Sequence, residues 1–282
     1  MKPILVHCHI FYPELWPELK KHLLNICPYE FDLFVTMVEN HSEIASDILE
    51  TFSKPHIEIV ENKGYDVAPF IHVLQSVHLD DYSLVVKIHT KRDMPIGSLI
   101  GTIDVGGNRW RKYALSFLKT SKTFDKCVKA FEHKQALGMV SNARLILTKD
   151  TNPLSASRAT SLMKRFKIAK AFRNTFVAGT MFVVRASIMK PLQDFDVNIS
   201  DDPDDTHQEM GMTHAMERLF GAMVWAQGYE IDDVFSVFPM TGWFWDCLRK
   251  ISMFLFREKV DKDGRYTIRI FRIPVFRRTI KK

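Results

Sequence analysis

The sequence predicts an α/β fold, a mostly parallel sheet of Rossmann-like arrangement flanked by helices, with a basic appendage after residue 240. Three observations predict it. Short apolar runs rich in β-branched residues alternate with stretches of helical periodicity, and repeated β-α units of this kind build parallel sheets with right-handed crossovers. The run at 83–88, S-L-V-V-K-I, reads as a central strand covered on both faces and passes directly into H-T-K-R-D. From residue 241 onward twelve Lys and Arg stand against four Asp and Glu, a net of +8 that leaves −2 of the chain's +6 for everything before.

Residues 4–8 form the expected first strand, and Leu15, Leu19, His22, Leu23 and Ile26 then fall at helical spacing. Pro28 interrupts, after which 31–37 is a second strand and 42–52 a polar-faced helix. Residues 57–60 make a third strand, and beyond N-K-G-Y-D a helix carries Val67, Phe70, Ile71, Leu74 and Val77 on one side. The strand at 83–88 follows. Four glycines and no apolar periodicity across 97–108 predict a long loop, of a length that usually serves function. A helix is expected over 110–133, a short strand at 138–141 and a basic helical region at 155–172. A single buried strand is expected at 176–185, F-V-A-G-T-M-F-V-V-R, with Gly179 where another backbone or a ligand approaches closely. The acidic run at 201–205 lacks the glycine and terminal glutamate of a calcium loop and reads as a solvated loop. A helix over 214–227, which Gly228 can terminate, and a strand at 229–237 close the domain.

Hydrophobic residues at 46% and charged ones at 26% exclude a disordered chain. Cys8, Cys27, Cys127 and Cys247 are scattered without a C-x-x-C pair, which argues against a disulfide framework or zinc knuckle and for a reducing compartment. The N-terminus turns polar before a signal-peptide core is complete, and no segment approaches the ~20 apolar residues that cross a bilayer. A cytoplasmic protein is expected, and no nucleic-acid partner.

At the carboxyl end of the 83–88 strand Lys87, His89, Lys91 and Arg92 converge where ligands of open α/β sheets bind. Such donors fit a phosphate or pyrophosphate; a charged surface loop is the competing reading. Asn62, Gly64 and Asp66 form N-x-G-x-D at a strand-to-helix junction suited to a base or ribose. Asp66 as a helix cap, with Pro69 in the first turn and Gly64 at positive φ, explains the same pattern structurally. His9, Phe11 and Tyr12 follow the first strand, where a ring either stacks on a base or packs in the core. His214 and Glu217, three apart on a helix, share a face. The carboxylate is the simplest general base for a hydroxyl, against a solvated face with Arg218 as a surface ion.

H-I-F-Y-P-E-L, N-K-G-Y-D-V-A-P-F, V-K-I-H-T-K-R, N-R-W-R, F-V-A-G-T-M-F-V-V-R and T-H-A-M-E-R-L, in that order between His9 and Leu219, resemble the rhamnan synthesis protein F family. The resemblance implies a nucleotide-sugar-dependent glycosyltransferase domain of GT-A type over 1–240, acting in bacterial cell-surface polysaccharide assembly, with 241–282 as an appendage. On that footing His9, Asn62, Gly64 and Asp66 hold the nucleoside side of the donor, and Lys87, His89, Lys91 and Arg111 its diphosphate. Trp110, Gly179 and Met181 line the acceptor side of the cleft, and Glu217 with His214 serves an inverting transfer. Where GT-A enzymes carry D-x-D, this sequence reads Lys87-Ile88-His89-Thr90-Lys91, so cations take the place of a metal in stabilising the leaving group. No cofactor is then required; if Mg or Mn is used, Asp93 is the ligand. Rhamnose or a similar hexose is the expected sugar, and a polysaccharide or lipid-linked glycan the acceptor. The alternatives are a non-catalytic subunit of the same fold docked on a membrane assembly complex, and a phosphate-ester or nucleotide hydrolase.

In the tail, Leu248, Ile251, Phe254 and Leu255 fall at helical spacing beside Arg249, Lys250 and Arg257, after Trp243, Phe244 and Trp245. An interfacial amphipathic helix is built this way. It predicts a peripheral hold on the anionic inner face of the plasma membrane, with a final helix and strand packed on the domain as the competing expectation.

Overall fold

The computed structural model describes residues 2–92, 107–143, 145–147, 153–168, 175–195, 211–233, 256–260, 265–270 and 273–279. In chain order these form β1 (Ile4–Ile10), α1 (Trp16–Leu23), β2 (Phe31–Met37), α2 (Ser42–Thr51), β3 (His56–Ile59), α3 (Val67–Ser76), β4 (Leu84–His89), α4 (Gly107–Ala114), α5 (Ser121–His133), β5 (Leu137–Val140), β6 (Ile146–Leu147), α6 (Pro153–Arg165), β7 (Phe176–Val177), β8 (Phe182–Arg185), α7 (Ala186–Met189), α8 (Met212–Ala226) and β9 (Glu230–Asp232), followed in the tail by β10 (Phe256–Val260), β11 (Arg265–Ile270) and β12 (Ile273–Thr279).

Seven strands make one sheet in the order β3-β2-β1-β4-β8-β5-β9. β1 is parallel to β2 and β4, β2 to β3, and β5 to β9, while β8 alone runs antiparallel to its neighbours. The chain steps outward from β1 through β2 to β3, then returns to place β4 on the other side of β1. That reversal is the switch point at which open α/β sheets open a crevice beyond the strands' carboxyl ends.

Alternate residues of each strand serve opposite faces. Ile4, Val6, Cys8 and Ile10 pack with Val86, Ile88, Leu19, Leu23, Ile48 and Phe124 on one side. Leu5 and Val85 pack with Phe70, Leu74, Leu219 and Phe220, from α3 and α8, on the other. His7 and His9 are in phase with Leu5, and Lys87 and His89 with Val85. The α3/α8 face therefore changes from apolar to polar as β1 and β4 approach the crevice.

The expected α/β order is present, with differences that have local causes. The helix foreseen over 110–133 is three pieces: α4, a 3-10 turn Ser116–Leu118, and α5. Thr120 accepts a hydrogen bond on its hydroxyl from the Thr123 N–H at 3.1 Å and so starts a new helix. The single strand foreseen at 176–185 is broken at Gly179 and Thr180, whose φ values are +79° and +51°. β7 leaves the main sheet to pair with β6, and only β8 remains in it. Gly228, with φ +80°, ends α8 as expected: its N–H and that of Tyr229 donate to the carbonyls of Trp225 and Val224. The loop residues 97–106, the acidic run 201–205 and the end of the last expected strand lie outside the described residues, as do Leu248, Ile251, Phe254 and Leu255. Arg257, expected on the tail helix, instead lies in β10 of a three-stranded antiparallel sheet.

Gly221 lets α8 lie directly on the segment that begins β7. A Cβ there meets the Thr175 carbonyl oxygen at 2.1 Å. Alanine is the better helix former by about 1 kcal/mol, yet Gly221→Ala is expected to lower the melting temperature, because backbone cannot yield as a flexible side chain does. A rise in Tm would contradict this contact.

Candidate active site

The polar end of the α3/α8 face is a connected cluster. The Lys87 ammonium, fully buried, donates to Asp66 Oδ2 and, at 2.9 Å, to Thr180 Oγ1. The Thr180 hydroxyl in turn donates to the same Asp66 oxygen. His89 Nδ1 lies 3.4 Å from that oxygen without hydrogen-bond geometry. Asp66 reaches the cluster because the chain before α3 is turned by Gly64 and Tyr65, both at positive φ. Gly64 also supplies the carbonyl that accepts from Val67 and Ala68. The cap reading of Asp66 is thereby corrected: its side chain caps nothing, having been turned toward Lys87.

On the neighbouring strands, His7 Nε2 and His9 Nδ1 each lie 2.9 Å from Thr36 Oγ1. Register pairs His7 with Lys87 and His9 with His89. Burial pushes the imidazole of His9 down to about 4 and that of His89 to about 3, with Lys87 adding to both and Asp66 opposing. Burial and Lys87 put His7 well below its ordinary value. A proton on His89 would sit beside the Lys87 ammonium, so the ring is neutral. Burial opposes ionised Asp66, but the Lys87 ammonium and the hydrogen bonds from Lys87 and Thr180 outweigh it and hold the carboxyl well below the usual range. The expectation that Lys87 and His89 are free cations facing a diphosphate is therefore corrected. One is neutralised in a buried ion pair and the other is uncharged.

The sign of the pH dependence follows. The unfolded chain binds more protons than the folded one between each histidine's folded value and ~6.5. Their contribution is complete above that pH and is lost as pH falls toward about 4 for His9 and about 3 for His89. Folding stability is expected to drop between pH 7 and pH 5 by on the order of 2 kcal/mol for each such histidine. Urea unfolding at the two pH values tests this, and an unchanged midpoint would show the rings to be charged or solvated.

The rest of the site is built around the turn between β7 and β8. The Gly179 N–H donates to Glu217 Oε1, and Arg218 Nη1 donates to Glu217 Oε2 at 2.7 Å. Burial raises the Glu217 carboxyl above its ordinary value against the opposing effect of Arg218. Arg218, expected as a surface ion, is largely buried over the Phe176 ring and also bonds the His214 carbonyl. Trp110 fills the space above Gly179, where a Cβ would meet the ring at 2.1 Å. The close approach foreseen at Gly179 is thus made by this indole. Lys91 Nζ lies 4.8 Å from the centroid of the Trp110 ring. Arg111 donates to the Lys91 carbonyl at 3.0 Å and to Glu18 at 2.9 Å.

Thr90 Oγ1 accepts from the N–H groups of both Phe11 and Tyr12 at 2.9 Å, pinning the segment after β1 to the end of β4. Phe11 and Tyr65 are exposed. Asn62 is exposed, His214 is half-buried, and Asp93 lies outside the described residues. Met181 is corrected from cleft to core: its side chain is fully buried in the apolar cluster, and its carbonyl accepts from Ser141. No group of His, Cys, Asp and Glu among the described residues is arranged to hold a metal. Oδ2 of Asp66 is engaged by Lys87 and Thr180, and the two oxygens of Glu217 by the Gly179 N–H and Arg218.

A family model described as rhamnan synthesis protein F matches residues 1–229. The chain belongs to the rhamnan synthesis protein F family. Membership associates it with polysaccharide synthesis. Among curated relatives it is similar to two proteins named uncharacterized protein WxcX, from Xanthomonas campestris pv. campestris strains B100 and ATCC 33913. Each is 26% identical over 239 residues, covering 83% of this chain and 33% of the relative. The chain thus spans about a third of the length of the curated relatives it matches. No helix among the described residues is long and apolar enough to cross a membrane.

Thr180, Thr36, His7 and Thr90 escaped the sequence reading. For Thr180, Thr36 and His7 the signal was a polar residue inside an apolar strand run, which must find a partner when buried; Thr90, between His89 and Lys91, carried none. Lys87 carries the same signal as those three; expected to line the crevice, it is fully buried against Asp66.

Proposed function

We propose that this chain is a glycosyltransferase domain that moves a sugar, rhamnose or a similar hexose, from a nucleotide-sugar donor to a cell-surface polysaccharide or lipid-linked glycan. The observation that carries the reading is the meeting of Asp66, Lys87, Lys91, Trp110 and Glu217 at the switch point between β1 and β4, in a chain of this family. Glu217 takes the proton of the acceptor hydroxyl as that oxygen bonds to the anomeric carbon and the bond from that carbon to the donor phosphate breaks. Its raised carboxyl is suited to a base working near neutral pH. The departing nucleoside diphosphate carries the negative charge away, and cations at the crevice lower the cost of that step. The transfer inverts the anomeric carbon, and it proceeds in the cytoplasm, with the basic tail at the inner membrane face.

Thermal unfolding of the purified chain against a panel of nucleotide sugars tests the reading. A cognate donor at a hundred times its Kd adds about 2.7 kcal/mol to the native state, a rise of about 5 °C or more for a domain of this size. Sugar transfer to a glycan acceptor with that donor is the second expected result. A shift without transfer would favour the non-catalytic subunit, and release of free sugar without an acceptor would favour a hydrolase.

A further inference from the structure

We propose that the donor's phosphoryl oxygens are held by Lys91 and the indole N–H of Trp110, and not by Lys87 and His89. This rests on the nucleotide-sugar reading and states where that ligand's charge sits. Trp110 is buried, and its Nε1–H has no hydrogen-bond partner among the described residues. An indole nitrogen only donates, so no change of tautomer or rotor can satisfy it. It needs an acceptor.

Lys91, over the face of the same ring, has no ion-pair partner among the described residues. The nearby carboxylates are already committed. Asp66 is taken by Lys87 and Thr180, Glu217 by Gly179 and Arg218, and Glu18 by Arg111. An anion bound here compensates an unpaired cation and an orphaned donor together. The floor of the crevice has no unpaired cation, its Lys87 ammonium being neutralised by Asp66 and its imidazoles uncharged, and the unpartnered Nδ1 atoms of His7 and His89 can lose their proton by a change of tautomer, which an indole cannot.

Both groups are also braced from behind. Gly179, at positive φ and without a Cβ, seats the indole, and Arg111 fixes the Lys91 backbone through its carbonyl. A site whose donors are set before the ligand arrives loses little freedom on binding.

The test uses the full chain labelled with ¹⁵N-tryptophan, titrated with inorganic pyrophosphate, a nucleoside diphosphate, a nucleotide sugar and a nucleoside. The Trp110 indole resonance, assigned by its loss in Trp110→Phe, is expected to move on addition of pyrophosphate and to stay in place with the nucleoside. Trp110→Phe keeps a ring over Gly179, and Lys91→Met keeps the stem over that ring, so both variants should unfold near the wild-type temperature. Each should bind pyrophosphate about tenfold or more weakly, the usual worth of a hydrogen bond to a charged group. If both variants bind it as tightly as wild type with the indole unmoved, the inference is overturned while nucleotide binding stands. If pyrophosphate moves the indole but no nucleotide binds, the anion site stands and the nucleotide reading fails. Binding of neither ligand by wild type overturns both.

Discussion

Glu217→Gln is expected to lower kcat by about 10² to 10⁴ with donor affinity largely kept, the range in which a positioned general base contributes. The substitution removes the proton acceptor while leaving an oxygen for the Gly179 N–H. Its weak point is the other end, where an amide NH₂ would face the Arg218 guanidinium, a donor opposite a donor. Glu217→Asp supplies the control, since it retains the charge but withdraws the carboxylate by one methylene. Loss in both variants, with near-wild-type unfolding, assigns the chemistry to a carboxylate at this position. The wild-type rate should also fall on the acid side at a higher pH than an ordinary carboxyl dictates, because burial raises Glu217. Near-normal turnover in Glu217→Gln, or a product that retains the donor's anomeric configuration, would sink the role.

The parts of this molecule that sequence made legible are those governed by local periodicity. The apolar runs of β1, β2 and β4 and the helical spacing of α1 and α3 declare themselves because each buries one residue type at one period. What did not show is where a long-range partner decides. Phe176 to Arg185 reads as one strand because nothing local announces that Thr180, a β-branched residue, takes φ +51° to meet Asp66 across 114 positions of chain. Such a conformation costs of order 1–3 kcal/mol and persists only when its surroundings impose it. Lys87 was legible as important, but its partner was not. Its place in an apolar strand signals a buried ammonium, which requires a carboxylate; Asp66, in N-K-G-Y-D, was the available one. In the tail, of the residues read at helical spacing and beside it only Arg257 is among the described residues, and there a long-range partner decides again: it pairs with Arg269 in β10.

Breaking the Lys87–Asp66 pair from one side is expected to produce the largest loss of stability of any single polar substitution in the fold. Lys87 is fully buried, and Asp66→Ala leaves its ammonium uncompensated while also taking the acceptor from the Thr180 O–H. Removal of one partner of a buried pair typically costs about 3–5 kcal/mol. Lys87→Met should cost less, because Asp66 is partly exposed and keeps the Thr180 hydrogen bond. The double variant Asp66→Ala with Lys87→Met is then expected to be more stable than Asp66→Ala alone, since no buried charge is left to solvate. A double-mutant cycle by urea unfolding reads this coupling directly. The pH course separates charge from packing. Asp66 has a folded value below its unfolded ~3.9, so its contribution is complete above that pH and is lost as pH falls through the folded value. The difference between wild type and Asp66→Ala should therefore hold from pH 7 down to about pH 4 and shrink only below it, with the histidine effect common to both. Additive losses in the cycle, or a difference that fades already at pH 6, would show that the two side chains are solvated apart rather than joined beneath the crevice.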